Sequence, residues 1–170
     1  MNAAELKTLQ APIKARYRAD PTAAVVTLRA EGQIGEGVTC SVATAKSLIR
    51  AGLHPASGGD GLNACSGDML LEALVACAGV TLNAVATALG LSLRDALIKA
   101  EGDLDFRGTL GVEKHAAVGF RDIRLSFEIA GNLTDAERVT LMKLTERYCV
   151  VYQTLRQSPP ISLAARWGTR

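Results

Sequence analysis

Residues 69–89 constrain the fold of this chain more than any other segment, because Glu72 is the only charged residue among them. A helix over such a segment is apolar on nearly every side and needs a central position in the fold. Ser66 is a suitable N-cap, and Gly90 has the conformational freedom that favours a helix C-terminus. The pattern predicts a long central helix that carries Cys77 in its middle.

The same segment is compatible with a membrane helix. Residues 73–93 contain no charged side chain, and the stretch is about the length that spans a bilayer. Its alanines and scattered polar residues make it only weakly hydrophobic, and the amphipathic strands described below need a core to cover. We therefore expect no membrane association, and solubility without detergent tests this alternative.

Length and composition favour one compact domain. The chain has 170 residues, of which 48% are hydrophobic, and this is enough for a single core. Its net charge is +2, and the charges are intermixed, so we expect no nucleic-acid partner. The first residues lack an apolar run of signal-peptide length, which favours a cytoplasmic location. Pro12 and Pro21 interrupt residues 1–23, which we expect to form an N-terminal arm before one domain over residues 24–170.

Alternating hydrophobicity predicts strands on both sides of the central helix. Residues 24–31 and 38–42 suggest a hairpin, whereas the glycine-rich residues 45–64 are expected to hold no regular element. Residues 98–106 and 123–129 each have one apolar and one polar face, and we expect them to pair as antiparallel strands with one solvated side.

The C-terminal third predicts helices followed by a strand. Thr134 and Glu137 form a capping box that opens a helix to about Cys149, and residues 150–157 either continue it or form a short third helix. Residues 161–167 alternate again and suggest a last strand. The predicted order is β-β-α-β-β-α-α-β, an α+β fold with an antiparallel sheet packed around long apolar central helices.

The chain has four cysteines, at positions 40, 65, 77 and 149. Their spacing matches neither CxxC metal pairs nor a dense disulfide framework, and the two histidines lie in loops without a ligand pattern. An unpaired cysteine in an apolar helix is by default a small core residue. A reactive thiolate in the middle of a helix needs a cation or a hydrogen-bond donor from elsewhere in the fold.

Two motifs resemble those of the OsmC/Ohr family. Residues 54–61 read HPASGGDG and residues 66–77 read SGDMLLEALVAC; the family has a GGDG-like loop, an acidic residue near the start of an apolar helix, and a peroxidatic cysteine about ten residues later. Residues 147–155 read RYCVVYQTL and place Cys149 where the family has its second cysteine. The chain is identified as a member of this family over about residues 24–168.

The resemblance implies an intertwined homodimer that reduces organic hydroperoxides without a metal or an organic cofactor. Cys77 would be the peroxidatic residue, whose thiolate attacks the peroxide and is left as a sulfenic acid. Cys149 would resolve that sulfenic acid as a disulfide, which an external thiol or dithiol then reduces. The alternative function is a non-catalytic OsmC-like protein that binds an apolar small molecule, with Cys77 lining its pocket.

The family also holds its thiolate with an arginine, which in turn is held by the acidic residue at the helix start. Arg29 is the best candidate for this arginine and Arg50 the weaker one, although a solvated strand position also explains Arg29. Asp68 lies nine residues before Cys77, on the opposite side of the helix at about 100° per residue. It either serves the site across a two-fold interface or only stabilises the helix N-terminus.

Two residues depart from the family pattern. The family often has glutamate in place of Asp68 and proline in place of Val150. Without that proline, the second helix could run on through Cys149 and change how its thiol approaches Cys77.

Overall fold

The computed structural model describes residues 2–19, 31–34, 39–43, 48–111 and 113–168. The predicted strand over residues 24–31, apart from Glu31, and the candidate Arg29 lie outside these ranges. The elements in chain order are α1 Ala3–Ala19, β1 Glu31–Ile34, β2 Thr39–Ala43, β3 Leu48–Gly52, β4 Ala64–Cys65, α2 Ser66–Leu89, β5 Asp95–Leu104, α3 Phe106–Thr109, β6 Phe120–Ala130, α4 Asp135–Tyr148 and α5 Val150–Arg156.

The predicted central helix is confirmed as α2. Its N-cap is Cys65 rather than Ser66, and Gly90 ends it in the left-handed conformation, with φ of 70°, which glycine adopts without strain. The helix contacts α1, β5, α4 and α5. One side of α2 is buried, and its residues there are Leu74, Ala78, Leu82, Val85 and Ala86.

Two sheets accompany these helices. Strands β1, β2 and β3 pair antiparallel in that order, and the two-residue β4 joins β3 in parallel. Strands β5 and β6 form a separate antiparallel pair, as predicted, and side chains along β5 alternate between exposed and partly buried. The partly buried face packs on α2 and α4 around Leu82, Val85 and Leu141; each large apolar side chain buried there contributes about 1.5–3 kcal/mol.

Residues 45–64 contain more regular structure than predicted. Strand β3 lies between β2 and β4, and hydrogen bonds to neighbours on both sides specify it. Its sequence, LIRAG, has a weak alternation, so the pairing and not the local pattern makes it a strand. The N-terminal segment contains helix α1, which contacts α2; the division into an arm and a domain stays a prediction.

The predicted last strand over residues 161–167 is wrong for the single chain. Residues 158–168 have no regular structure, and Ile161, Leu163 and Trp167 are 88%, 98% and 95% exposed. A strand needs a neighbour to satisfy its backbone hydrogen bonds, and no strand in the described part of this chain pairs with the segment. The order observed in the described ranges is α-β-β-β-β-α-β-α-β-α-α, and the fold is α+β with a central helix.

The side of α2 that faces away from the core is exposed. Leu70 and Val80 are 38% and 72% exposed, and Ala73, Ala76 and Ala84 lie on the same side. Among the described residues, α2 is also the one helix long and apolar enough to span a membrane. The core helix of a water-soluble protein meets the same criteria, and α2 packs with one side against α1, β4, β5, α4 and α5.

Candidate functional site

Packing of α5 against α2 brings together two segments that are distant in the sequence. Cys77 lies in the middle of α2, and Cys149 lies between α4 and α5. Each cysteine affects the pKa of the other, and both are free thiols. Cys77 is partly exposed, whereas Cys149 is 1% exposed. The fold therefore pairs one accessible thiol with one buried thiol.

The chain breaks its helix at Cys149 although no proline follows. The capping box of Thr134 and Glu137 opens α4 as predicted. At the other end, Cys149 has an extended backbone, with φ of −72° and ψ of 105°, and it caps both α4 and α5. Residues 150–157 therefore form a short third helix rather than a continuation, and α5 ends at Arg156.

Because of this break, three backbone N–H groups at the start of α5 lack the carbonyl partners that they would have in a continuous helix. The N–H groups of Val150, Val151 and Tyr152 would otherwise bond to carbonyls four residues earlier. Instead, at the start of α5, which packs on α2, those of Val150 and Val151 act to lower the pKa of Cys77, and those of Val151 and Tyr152 act in the same sense on the pKa of Cys149. The hydrogen-bond donors that a mid-helix thiolate requires thus come from the start of α5.

The environment of Cys77 favours its thiolate. Partial burial opposes ionisation, but it is outweighed by hydrogen bonds from the Val151 N–H, the Cys149 thiol, the Val150 N–H and the Thr81 hydroxyl, so that the pKa of Cys77 is lowered. Thr81 lies one helical turn after Cys77 on α2, and none of the sequence motifs indicates it as a site residue. The four-residue spacing on α2 is the signal that could have found it.

The environment of Cys149 favours its protonated form. Burial raises the pKa of Cys149, and interaction with the Cys77 thiolate raises it further, while the N–H groups of Tyr152 and Val151 act in the opposite sense. The pair thus has one sulfur prepared for nucleophilic attack and one that retains its proton. Since thiolate and not thiol is the nucleophile, Cys77 is the more nucleophilic of the two sulfurs while both are reduced.

Of the other candidate residues, the two that the structure describes, Asp68 and Arg50, are not brought to this pair. Asp68 is exposed in the first turn of α2, and it lies roughly 13 Å along the helix axis from Cys77, on the opposite side. Arg50 is exposed on β3, opposite Ser41 in the strand register. Arg29 lies outside the described residues.

The glycine-rich loop has a conformational role. Gly58 and Gly61 have φ of 96° and 77°, values that favour glycine. His54 caps the short 3₁₀ turn Pro55–Ser57 by accepting a hydrogen bond from the Ala56 N–H at 3.0 Å. The described residues contain no cluster of three or more His, Cys, Asp or Glu side chains able to hold a metal ion.

Cys149 also borders an open cavity of about 480 Å³ beside α4 and β6. Most of its lining is apolar, including Leu125, Phe127 and Met142. Thr145 lines it as well and is 1% exposed, and its hydroxyl has no hydrogen-bond partner among the described residues. The buried thiol thus has a polar neighbour whose hydrogen-bonding capacity is unused.

Comparison with known proteins places this architecture in a family. The model of the family "OsmC-like protein" matches residues 58–164, which is more than half of the chain and includes both cysteines. No curated protein sequence matches the chain at a significant level.

Several solved structures share the fold. The OsmC-like protein from Mycoplasma pneumoniae superposes with a TM-score of 0.65 at 20% identity, covering 78% of this chain and 89% of that one. An organic hydroperoxide resistance protein OsmC from Legionella pneumophila has a TM-score of 0.61 at 19% identity, covering 78% and 91% of the two chains. An organic hydroperoxide resistance protein from Elizabethkingia anophelis has a TM-score of 0.63 at 16% identity, covering 79% and 91%. On the family match and this shared fold, the chain belongs to the OsmC-like protein family.

Proposed function

We propose that this protein is a thiol peroxidase that reduces organic hydroperoxides to alcohols, with Cys77 as the peroxidatic residue and Cys149 as the resolving residue. The observation that carries the proposal is the pairing of two free thiols whose pKa values are shifted in opposite directions. The solved structures called organic hydroperoxide resistance proteins support a peroxide-related role.

In the first step, the Cys77 thiolate attacks the terminal oxygen of the hydroperoxide. A sulfur–oxygen bond forms while the oxygen–oxygen bond breaks, and the departing alkoxide takes a proton to become the alcohol. Cys77 is left as a sulfenic acid, so sulfur is oxidised by two electrons and the peroxide is reduced by two. The donors from Val150, Val151 and Thr81 favour this step because they stabilise the thiolate before it reacts.

In the second step, the Cys149 sulfur attacks the sulfur of the sulfenic acid. A disulfide forms, the sulfur–oxygen bond breaks, and hydroxide leaves with the Cys149 proton as water. The raised pKa of Cys149 keeps that proton in place until this step. An external dithiol, or two thiols, then returns both cysteines to the reduced form by thiol–disulfide exchange. No step requires a metal or an organic cofactor.

The exposed side of α2 supports the homodimer as the working form. It is apolar and lined by small residues between Leu70 and Val80, so a second copy could pack closely against it. Cys77 lies at its edge, so the partner would cover the substrate entrance. We propose that Asp68 and Arg29, or else Arg50, serve the Cys77 site across the two-fold interface of the homodimer. Leu70 and Val80 would then favour organic hydroperoxides over hydrogen peroxide.

Peroxide consumption by the purified full chain tests the proposal. Cumene hydroperoxide and excess dithiothreitol are supplied, and loss of peroxide is followed for the wild type, for Cys77→Ser and for Cys65→Ser as the matched control. We expect turnover in the wild type and in Cys65→Ser and none above background in Cys77→Ser. Full activity in Cys77→Ser would refute the assignment, and equal turnover of hydrogen peroxide would refute the substrate preference.

The role of Cys149 needs a separate measurement. After one equivalent of hydroperoxide, peptides are mapped by mass spectrometry without reduction. A Cys77–Cys149 linkage is expected. A sulfenic acid on Cys77 with unmodified Cys149 would show that an outside thiol performs the second step instead.

A further inference from the structure

The break between α4 and α5 needs a specific cause. Neither proline nor glycine stands at Cys149 or Val150, so local sequence does not forbid a helix that continues through both. In such a helix the Val150 N–H would donate to the Glu146 carbonyl. That bond would remove a donor from the Cys77 sulfur. In the broken chain the Glu146 carbonyl lacks this helical partner, and another donor has to satisfy it.

Gln153 supplies this partner. Its Nε2 donates to the Glu146 carbonyl oxygen at 2.8 Å, so a side-chain amide takes the place of the missing backbone donor. Two further side chains of α5 reach the Glu146 carboxylate: Arg156 donates through Nη1 at 2.6 Å, and the Tyr152 hydroxyl lies at 3.5 Å. Three side chains of one short helix thus converge on the last turn of α4.

The contacts differ in what they contribute. Arg156 and Glu146 are 57% and 48% exposed, and an exposed ion pair of this kind adds little to stability. Gln153 is partly buried, and its bond satisfies a main-chain carbonyl that the break would leave without a partner. Of the three contacts, the Gln153 bond is the one made to a main-chain group that the break itself leaves unpaired.

We propose that Gln153 is a positioning residue: by occupying the Glu146 carbonyl it keeps the chain broken at Cys149, and so keeps the N–H groups of Val150 and Val151 on the Cys77 sulfur. Arg156 reinforces this contact by donating to the Glu146 carboxylate. We call the bonds from Gln153 and Arg156 to Glu146 the clamp. The clamp matters to catalysis through the proposed function, since it acts on the residue assigned there as nucleophile. Its direct consequence is the acidity of the Cys77 thiol, which is measurable without any turnover.

The pKa of Cys77 is raised by its partial burial and lowered by a small set of donors, and the α5 donors are the ones that the clamp positions. Polar groups that interact with its sulfur come from α5, from Thr81 on α2 and from Cys149. Cys149 is the titratable group among them, and the clamp variants leave it in place. A change in the pH profile of Cys77 on substitution of Gln153 therefore reflects the position of the α5 donors.

The test compares Gln153→Met with Gln157→Met. Methionine keeps the length of the side chain and removes its donor, and Gln157, exposed at the end of α5, undergoes the same change outside the clamp. Alkylation of Cys77 by iodoacetamide is measured in the reduced full chain over a range of pH, by mass spectrometry of the Cys77 peptide. We expect Gln153→Met to move the profile to higher pH and to slow labelling near neutral pH about fivefold, as for loss of one hydrogen bond.

Identical profiles for the two glutamine variants would overturn the proposal. If Gln153→Met does not fold, Arg156→Met provides the second test, with Arg138→Met as its control, because Arg138 pairs with Asp135 at the far end of α4. A shift of about twofold in the same direction is expected for Arg156→Met, and an unchanged profile there would also overturn the clamp.

Peroxide turnover is recorded on the same samples. If Gln153→Met shifts the Cys77 profile but the wild-type protein turns over no peroxide, the proposed function is refuted and the clamp is not. If the wild-type protein turns over peroxide but Gln153→Met leaves the profile unshifted, the clamp is refuted and the proposed function is not.

Discussion

Replacement of Thr145 by valine is expected to stabilise the protein by about 1 kcal/mol, because it removes a buried hydroxyl that has no partner. Thr145 is 1% exposed, and its Oγ1 makes no hydrogen bond with any described residue. It lies one turn before Cys149, and its carbonyl accepts the Cys149 N–H at 3.0 Å. The substitution leaves this main-chain bond in place.

The size of the effect follows from the chemistry of the two side chains. Valine has nearly the shape of threonine and a similar helix propensity, so the change isolates the hydroxyl. An unsatisfied buried polar group costs about 1–3 kcal/mol, and the lower end applies because Thr145 borders an open cavity. For a chain of this length, 1 kcal/mol raises Tm by roughly 2–4 °C.

Thermal unfolding followed by circular dichroism measures this difference, with Thr140→Val as the matched control on the same helix. The Thr140 hydroxyl is exposed and donates to the Ala136 carbonyl at 2.8 Å, so its loss should leave Tm unchanged or slightly lower. A lower Tm for Thr145→Val, or equal increases in both variants, would refute the reasoning, because the buried hydroxyl would then have a partner in solution.

Three further predictions follow from the same contacts. At neutral pH, iodoacetamide should label Cys77 faster than Cys149, because the pKa of Cys77 is lowered and that of Cys149 raised; equal rates by peptide mass spectrometry would contradict this asymmetry. The free energy of unfolding of the wild type relative to that of Cys77→Ala should rise with pH. A lowered pKa stabilises the folded state fully at pH values above the pKa of the unfolded state, and this stabilisation is lost as the pH falls through the pKa of the folded state. Urea titrations across this pH range that give a constant difference would contradict the prediction. Gly102→Ala should destabilise the protein by about 1–3 kcal/mol, because the added Cβ would lie 2.5 Å from the Phe120 ring, whereas Gly119→Ala meets no atom within 4 Å and should leave the urea midpoint unchanged.

Elements whose pattern is local could be predicted from the sequence. The apolar residues around Cys77 indicate α2, since a helix with almost no charged residues has to lie centrally. The capping box of Thr134 and Glu137 is complete within four residues, and α4 begins there. Strands β5 and β6 were found because each has one polar and one apolar face, and that alternation is visible without knowledge of the partner strand.

Elements specified by contact with distant segments were missed. Strand β3 exists because β2 and β4 lie on its two sides. Conversely, the alternation over residues 161–167 looks like that of a strand, yet no described strand pairs with it. The sequence does not decide between a continuous and a broken helix at Cys149, because no local pattern marks the bond from Gln153 to the Glu146 carbonyl, seven residues earlier.

The sequence by itself determined that Cys77 lies in a central apolar helix, that a second helix opens at Thr134 and reaches about Cys149, and, through its motifs, that the chain resembles OsmC-like proteins. Only the tertiary structure decided which groups surround each sulfur and why one thiol is acidic and the other is not. The physical reason is that a pKa depends on burial and on donors within hydrogen-bond reach, and for Cys77 most of those donors come from residues more than seventy positions away.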